Sequence, residues 1–282
     1  LEFFYTHSHQ VAKLNPILIA ALAASFILPG CTGVGSVRMA KAQHRLEPLA
    51  SKTSGQPLSK RQIGMLPIAP HIYVDREVPV ESARRLLNLV EKARVRTAYF
   101  YGDLISEPDI LFCSTMECYT KFGAIGLGYT IGNTILISPY GARAAIVSHE
   151  LSHVELAARL GGQPEIMDNI PQWFDEGTAV MVSLAHEFSD EAWLEACQNG
   201  AGSPRLSEIE SMMDWKQVTG ANGINMQLSY GTARQEVVRW YGITGRNGLD
   251  QLVQALKAKE NFHDVYQSIE ESSVALILAA KN

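Results

Sequence analysis

His149-Glu150-Leu151-Ser152-His153 is the stretch on which the reading of this chain turns. Residues four apart on an α-helix share a face, so the two imidazoles can reach one metal ion together, with Glu150 beside it. The flanks support a helix. Ala142-Arg143-Ala144-Ala145-Ile146-Val147 and Val154-Glu155-Leu156-Ala157-Ala158-Arg159-Leu160 are good helix formers, and Gly161-Gly162 close the run. Two histidines leave a tetrahedral site incomplete, because a catalytic metal ordinarily has a third protein ligand and an open position. A candidate for the third lies downstream, in Pro171-Gln172-Trp173-Phe174-Asp175-Glu176-Gly177-Thr178-Ala179.

H-E-x-x-H followed by W-x-x-E-G-x-A on a second helix resembles the gluzincin metallopeptidases. The resemblance implies one Zn2+ per chain, with His149, His153 and Glu176 as ligands. It also implies Glu150 as the general base that takes a proton from water at the metal. Asp175 is the competing third ligand. The likeness is incomplete at one point. Thermolysin-like members carry an aspartate four positions after the ligand glutamate to orient a histidine, and here that position is Val180. Glu155 and Asp175 are the nearby carboxylates for that role, and either reads equally as a solvated charge.

An oxyanion forming at a scissile carbonyl needs a donor across from the metal. Tyr230, in Leu228-Ser229-Tyr230-Gly231-Thr232-Ala233 at the start of a helix expected to reach about Tyr241, is the candidate. The stretch resembles the later helix on which several zincin-type peptidases place a tyrosine or histidine. The competing reading packs Tyr230 in the core with its hydroxyl on a backbone carbonyl. Arg234, one turn on, is either a grip for a substrate carboxylate or a helix-surface charge. His44, His71, His186 and His263 read as surface or satisfied histidines.

The amino-terminal part carries a different signal. Residues 16–28 form an uncharged apolar run, too short to span a bilayer comfortably but matching a secretory signal core. It ends in Leu28-Pro29-Gly30-Cys31, which resembles a bacterial lipobox and implies cleavage before Cys31 and lipidation of its sulfur. Several acyl chains make such an anchor stable. The competing reading is an ordinary signal peptide or an uncleaved anchor. Residues 1–10 precede this run without an initiating methionine, which fits a start downstream of Leu1.

An exported chain meets an oxidising compartment. Cys113 and Cys118, flanking Ser114-Thr115-Met116-Glu117, are expected to pair and pin a hairpin between strands 109–112 and 119–122. A zinc pair is the alternative, without a second Cys or His pair to accompany it. Cys197 is left over and reads as buried.

Hydrophobic residues make up 46% and charged residues 19% of the chain, which is ordinary globular composition. The net charge of -5 argues against nucleic acid as a partner. Residues 1–31 are read as a lipoprotein signal peptide, 32–70 as a flexible Gly/Ser/Lys/Gln/Pro-rich tether, and 71–282 as one catalytic domain. Within that domain a strand is expected at 71–74 and an amphipathic helix over 80–96. Further strands are expected at 97–101, 110–113 and 134–138, the last an edge able to pair with an extended peptide. The Gly-rich stretch 123–132 is expected near the cleft, and the chain after Pro139 is almost wholly helical. The fold class is therefore α+β and zincin-like, a small N-terminal sheet with helices followed by a mostly helical half.

These expectations describe a membrane-tethered zinc metallopeptidase of the cell envelope, exported to the periplasmic face, with a peptide or protein substrate. Two alternatives stand beside it. One is a non-catalytic binding or assembly protein with the same fold. The other is a zinc amidase acting on cell-wall bonds.

Overall fold

The computed structural model describes residues 64–162, 169–220 and 223–280. The expected signal segment with Cys31, and the stretch as far as residue 63, lie outside the described residues. Five short strands form one mixed sheet: β1 (Leu66–Ala69), β2 (Ile72–Val74), β3 (Asp109–Phe112), β4 (Gly128–Ile131) and β5 (Thr134–Ile137). Their spatial order is β1-β2-β3-β5-β4. β2, β3 and β5 run parallel, and β1 and β4 pair antiparallel at the two edges.

Side chains alternate across this sheet with the period of two that a strand imposes. Ile72, Val74, Ile110, Phe112, Ile135 and Ile137 pack against Leu86, Val90 and Ala93 of α1 (Val80–Tyr101). They meet Val147, Leu151 and Val154 of α3 (Ala144–Leu160) in the same cluster. Leu111 and Leu136 point to the opposite face, where Tyr119 of α2 (Met116–Lys121), Met65 and Ala124 cover them. Each fully buried aliphatic side chain contributes about 1.5–3 kcal/mol.

The chain after β5 is helical: α3, α4 (Gln172–Ser183), α5 (Asp190–Ala196), α6 (Met212–Thr219), α7 (Gly223–Lys257) and α8 (Phe262–Ala279). α7 is kinked at Gly245, whose φ of 62° and ψ of -166° are not helical. Trp173 and Phe174 of α4, Val237 and Trp240 of α7, and Phe262 and Tyr266 of α8 form the centre of a second core. α3 belongs to both cores, since Leu156, Ala157 and Leu160 join the helical cluster while Val147, Leu151 and Val154 join the sheet. The expected α+β order, a small sheet first and helices after it, is present. Among the described residues no helix is long and apolar enough to cross a membrane.

Four local expectations are corrected. Residues 97–101, rich in β-branched and aromatic types, are the last turns of α1 rather than a strand. Ala93, Thr97, Phe100 and Tyr101 continue its buried stripe at helical spacing, so tertiary packing overrides strand propensity. Cys113 and Cys118 are bonded as expected, but Tyr119 to Lys121 lie in α2. The bridge therefore joins a strand to a helix, and Thr115 caps that helix by accepting a hydrogen bond from the Cys118 N–H at 3.2 Å. β5 is not an edge, because it lies between β3 and β4; the edge is β4. Finally, β1 occupies residues 66–69, inside the stretch expected to be tether, and Met65 is buried beside it.

Candidate metal centre

Close packing of α3, α4 and α7 builds the site. A Cβ on Gly177 would stand 2.4 Å from the Ala233 carbonyl oxygen, so α4 and α7 approach closely because residue 177 has no side chain. The neighbouring Glu176 is thereby turned toward α3, where His149 and His153 lie on one face. His149 Nε2 and His153 Nε2 are 3.1 Å apart. Glu176 Oε2 stands 3.3 Å from the first and 3.7 Å from the second. One ligand atom from each of these three residues falls within 4.8 Å of the others.

Hydrogen bonds behind the three atoms fix how they point. His153 Nδ1 is 2.9 Å from Asp175 Oδ1, and because the carboxylate can only accept, the Nδ1 proton lies on that bond. In the neutral imidazole, Nε2 then presents a lone pair to the site. Gln172 donates from Nε2 to Glu176 Oε1 at 3.1 Å, which aims Oε2 at the histidines. Glu176 Oε2 is buried and, among the described residues, has no well-formed hydrogen bond. A buried carboxylate oxygen left this way is costly unless a cation meets it.

The charges agree. Burial pulls the His153 pKa down, but the neighbouring Asp175 carboxylate, helped by Glu176 and Glu150, outweighs burial and raises it to about 10. Burial also pushes the Glu176 carboxyl up, and the two imidazoles win, holding it below its ordinary value. Three carboxylates thus surround two imidazoles in a pocket that favours positive charge. His149, His153 and Glu176 fit a metal ion.

Glu150, between the two histidines in sequence, lies against β4. Thr130 donates its hydroxyl to Glu150 Oε2 at 2.8 Å. A Cβ on Gly128 would come within 2.5 Å of Glu150 Oε1, so the strand backbone lies directly on the carboxylate. The expected nearness of the Gly-rich stretch to the cleft therefore holds, with Gly128 as its point of contact.

Tyr230 reaches the same region from α7. Its ring is 6.1 Å from the His149 ring, stacked at 5.0 Å on Phe188 and edge-on to Trp215 at 4.9 Å. Burial first, then the Glu176 and Glu150 carboxylates, push its pKa well above the ordinary value, against a hydrogen bond from Trp215. It stays protonated and so remains a potential donor. Arg234 is paired with Asp190, which makes it a surface charge rather than a grip in the cleft. His71 pairs with Asp109 and His263 with Glu210, away from the three ligands, and His186 sits in a single turn after α4. Cys197 is buried, as expected.

Asp175, the competing candidate, is bonded to His153 Nδ1 and lies outside the group formed by His149, His153 and Glu176. Val180, the position four residues after Glu176, is buried. Gln172, Thr130, Trp215 and Phe188 were not anticipated. Gln172 carries a usable signal, four residues before Glu176 on one helix. The other three come from distant parts of the chain. Comparisons with protein-family models, with curated proteins and with solved structures find no match for this chain.

Proposed function

We propose that this chain is a zinc metallopeptidase of gluzincin type, with a zincin-like fold, that hydrolyses peptide bonds with Glu150 as general base. The observation that carries the reading is the convergence of His149 Nε2, His153 Nε2 and a buried Glu176 Oε2 that has no well-formed hydrogen bond among the described residues, flanked by the further carboxylate of Glu150. A purely structural metal site has no need of Glu150 beside it. Zinc held by these three residues would supply Lewis acidity, making water acidic enough to ionise near neutrality and polarising a carbonyl.

The chain's own residues supply the rest. Glu150 takes the proton of the attacking water and delivers it to the leaving amine. Asp175 keeps the His153 proton on Nδ1, so that Nε2 stays free for the metal. Gln172 holds one Glu176 oxygen, leaving the other to face the histidines. Tyr230, held protonated by its burial and the nearby carboxylates, has its O–H available to a developing oxyanion. The open edge of β4 suits an extended peptide substrate, which would pair along it beside Glu150. The lipobox-like Leu28 to Cys31 supports an exported, lipid-anchored protein of the cell envelope.

The test is elemental mass spectrometry of the purified protein and of Glu176→Ala, beside cleavage of a peptide library. The expected result is one zinc per wild-type chain, much less in the variant, and cleavage only by the loaded wild type. Wild type that takes up no zinc would overturn the metal reading. Zinc-loaded protein that leaves every peptide intact would turn the assignment toward an envelope binding protein or an amidase of the cell wall.

A further inference from the structure

We propose that Thr130 is the positioning residue of Glu150, holding the base from the strand edge that an extended substrate would occupy; this rests on the reading of Glu150 as proton acceptor. Three observations carry it. First, the Thr130 hydroxyl is 2.8 Å from Glu150 Oε2 and 3.3 Å from the Glu150 backbone carbonyl oxygen, so one side chain touches both ends of the residue. Second, Gly128 lies against the other carboxylate oxygen, Oε1. The carboxylate is thus held on one oxygen and hemmed in on the other, both from β4.

The third is the register of β4. Thr130 faces Ile135 and Gly128 faces Ile137. Directly opposed residues share a face, and Ile135 and Ile137 pack toward α3, so positions 128 and 130 face α3 as well. Hydrogen-bonded and non-hydrogen-bonded pairs alternate along an antiparallel ladder. The Ser138 N–H donates to the Leu127 carbonyl at 3.0 Å, which makes 127 and 138 a bonded pair. Gly128 and Thr130 therefore turn their own N–H and C=O groups away from β5. Among the described residues no strand lies beyond β4. The two residues that hold Glu150 are the same two whose main chain faces the free edge. An extended segment pairing there steadies the strand that orients the base, so seating of substrate and alignment of Glu150 are one event.

The function of the hydroxyl is separable from its packing. Thr130→Val keeps the shape and loses the donor, whereas Thr130→Ser keeps the donor. Acetohydroxamate serves as a probe independent of turnover, because its N–OH group donates to a carboxylate standing beside a metal. Its affinity is measured by calorimetry on the zinc-loaded full chain in wild type, Thr130→Val, Thr130→Ser, Glu150→Gln and the Thr130→Val/Glu150→Gln double variant. Zinc content is measured in each.

Losing one hydrogen bond to a charged group predicts binding weaker by about five- to tenfold in Thr130→Val, and within about twofold of wild type in Thr130→Ser. In the Glu150→Gln background Thr130→Val has no further effect, and zinc content is equal throughout. Peptide hydrolysis, read in parallel, loses kcat in Thr130→Val with KM unchanged. Equal affinity in wild type and Thr130→Val, a serine variant as weak as the valine variant, or an undiminished valine effect beside Glu150→Gln would each overturn the proposal. A wild type that binds acetohydroxamate but cleaves no peptide fails the peptidase reading alone, and the affinity cycle still decides Thr130.

Discussion

Helix α3 carries two buried glutamates, Glu150 and Glu155, and the two regions around them differ in how their carboxylates are met. Beneath the helix, Glu155 is fully enclosed and saturated. It accepts from the Ile105 N–H on both oxygens, from the Ser106 N–H and hydroxyl on Oε2, and from Arg159 Nε at 2.9 Å on Oε1. Arg159 in turn donates to the Asp103 carbonyl and lies over the Tyr101 ring. Facing the cleft, Glu150 has the Thr130 hydroxyl on one oxygen and bare strand backbone against the other. A carboxylate saturated by donors ties a loop to a helix. One left short, beside two imidazoles and a further carboxylate, has lone pairs available for a proton.

The first way to break this comparison has the largest expected effect. Glu150→Gln is expected to lower kcat by about 10³–10⁴-fold while keeping zinc and thermal stability, measured by peptide hydrolysis, elemental analysis and calorimetry on one preparation. A variant with full turnover ends the role of Glu150 as base. Glu155→Ala should do the reverse. It leaves the Arg159 guanidinium and two backbone N–H groups without their partner, so urea unfolding should show a loss of about 3–5 kcal/mol. The activity of the folded fraction should be retained. Activity lost beyond the unfolded fraction would erase the contrast between the two glutamates.

A smaller effect sharpens the contrast at Asp175, the carboxylate bonded to His153. Asp175→Asn is expected to weaken zinc binding by about 10–100-fold, read by competition with a chelator. It should also change the metal-free protein. His153 has a folded pKa raised from 6.5 to about 10. Its charged form therefore contributes stability that is fully present below about pH 6.5 and lost as pH rises toward 10. Urea midpoints of the metal-free wild type should fall across that window, and those of Asp175→Asn should fall less. Equal slopes would remove Asp175 as the partner that holds the His153 proton.

Legibility from sequence followed the range of the interactions. The candidate metal group was readable because His149 and His153 stand one helical turn apart and Glu176 sits on a second helix with its own W-x-x-E-G signature. The disulfide was readable from spacing, whereas the helix that holds Cys118 was not, since Thr115 decides it by capping. Residues 97–101 misled in the same way. Their β-branched and aromatic types favour a strand in isolation, and only the core offered to Ala93, Thr97 and Phe100 keeps them helical. The edge was misassigned because Gly128 to Ile131 was read as part of a Gly-rich stretch and not as a strand, and only its pairing with β5 places it outermost.

The sequence by itself determined the α+β order and the H-E-x-x-H helix with its two histidines on one face, because helical periodicity is a property of neighbours along the chain. Glu176 came from the resemblance of its stretch to the gluzincins. Only the tertiary structure decided that Asp175 orients His153, that Glu155 is a structural anchor, and that β4 lies on Glu150 with Thr130 as its donor. Those partners stand 20 to 50 residues from the groups they serve. They meet because two cores, one on the sheet and one among the helices, share α3 and draw distant segments onto its faces.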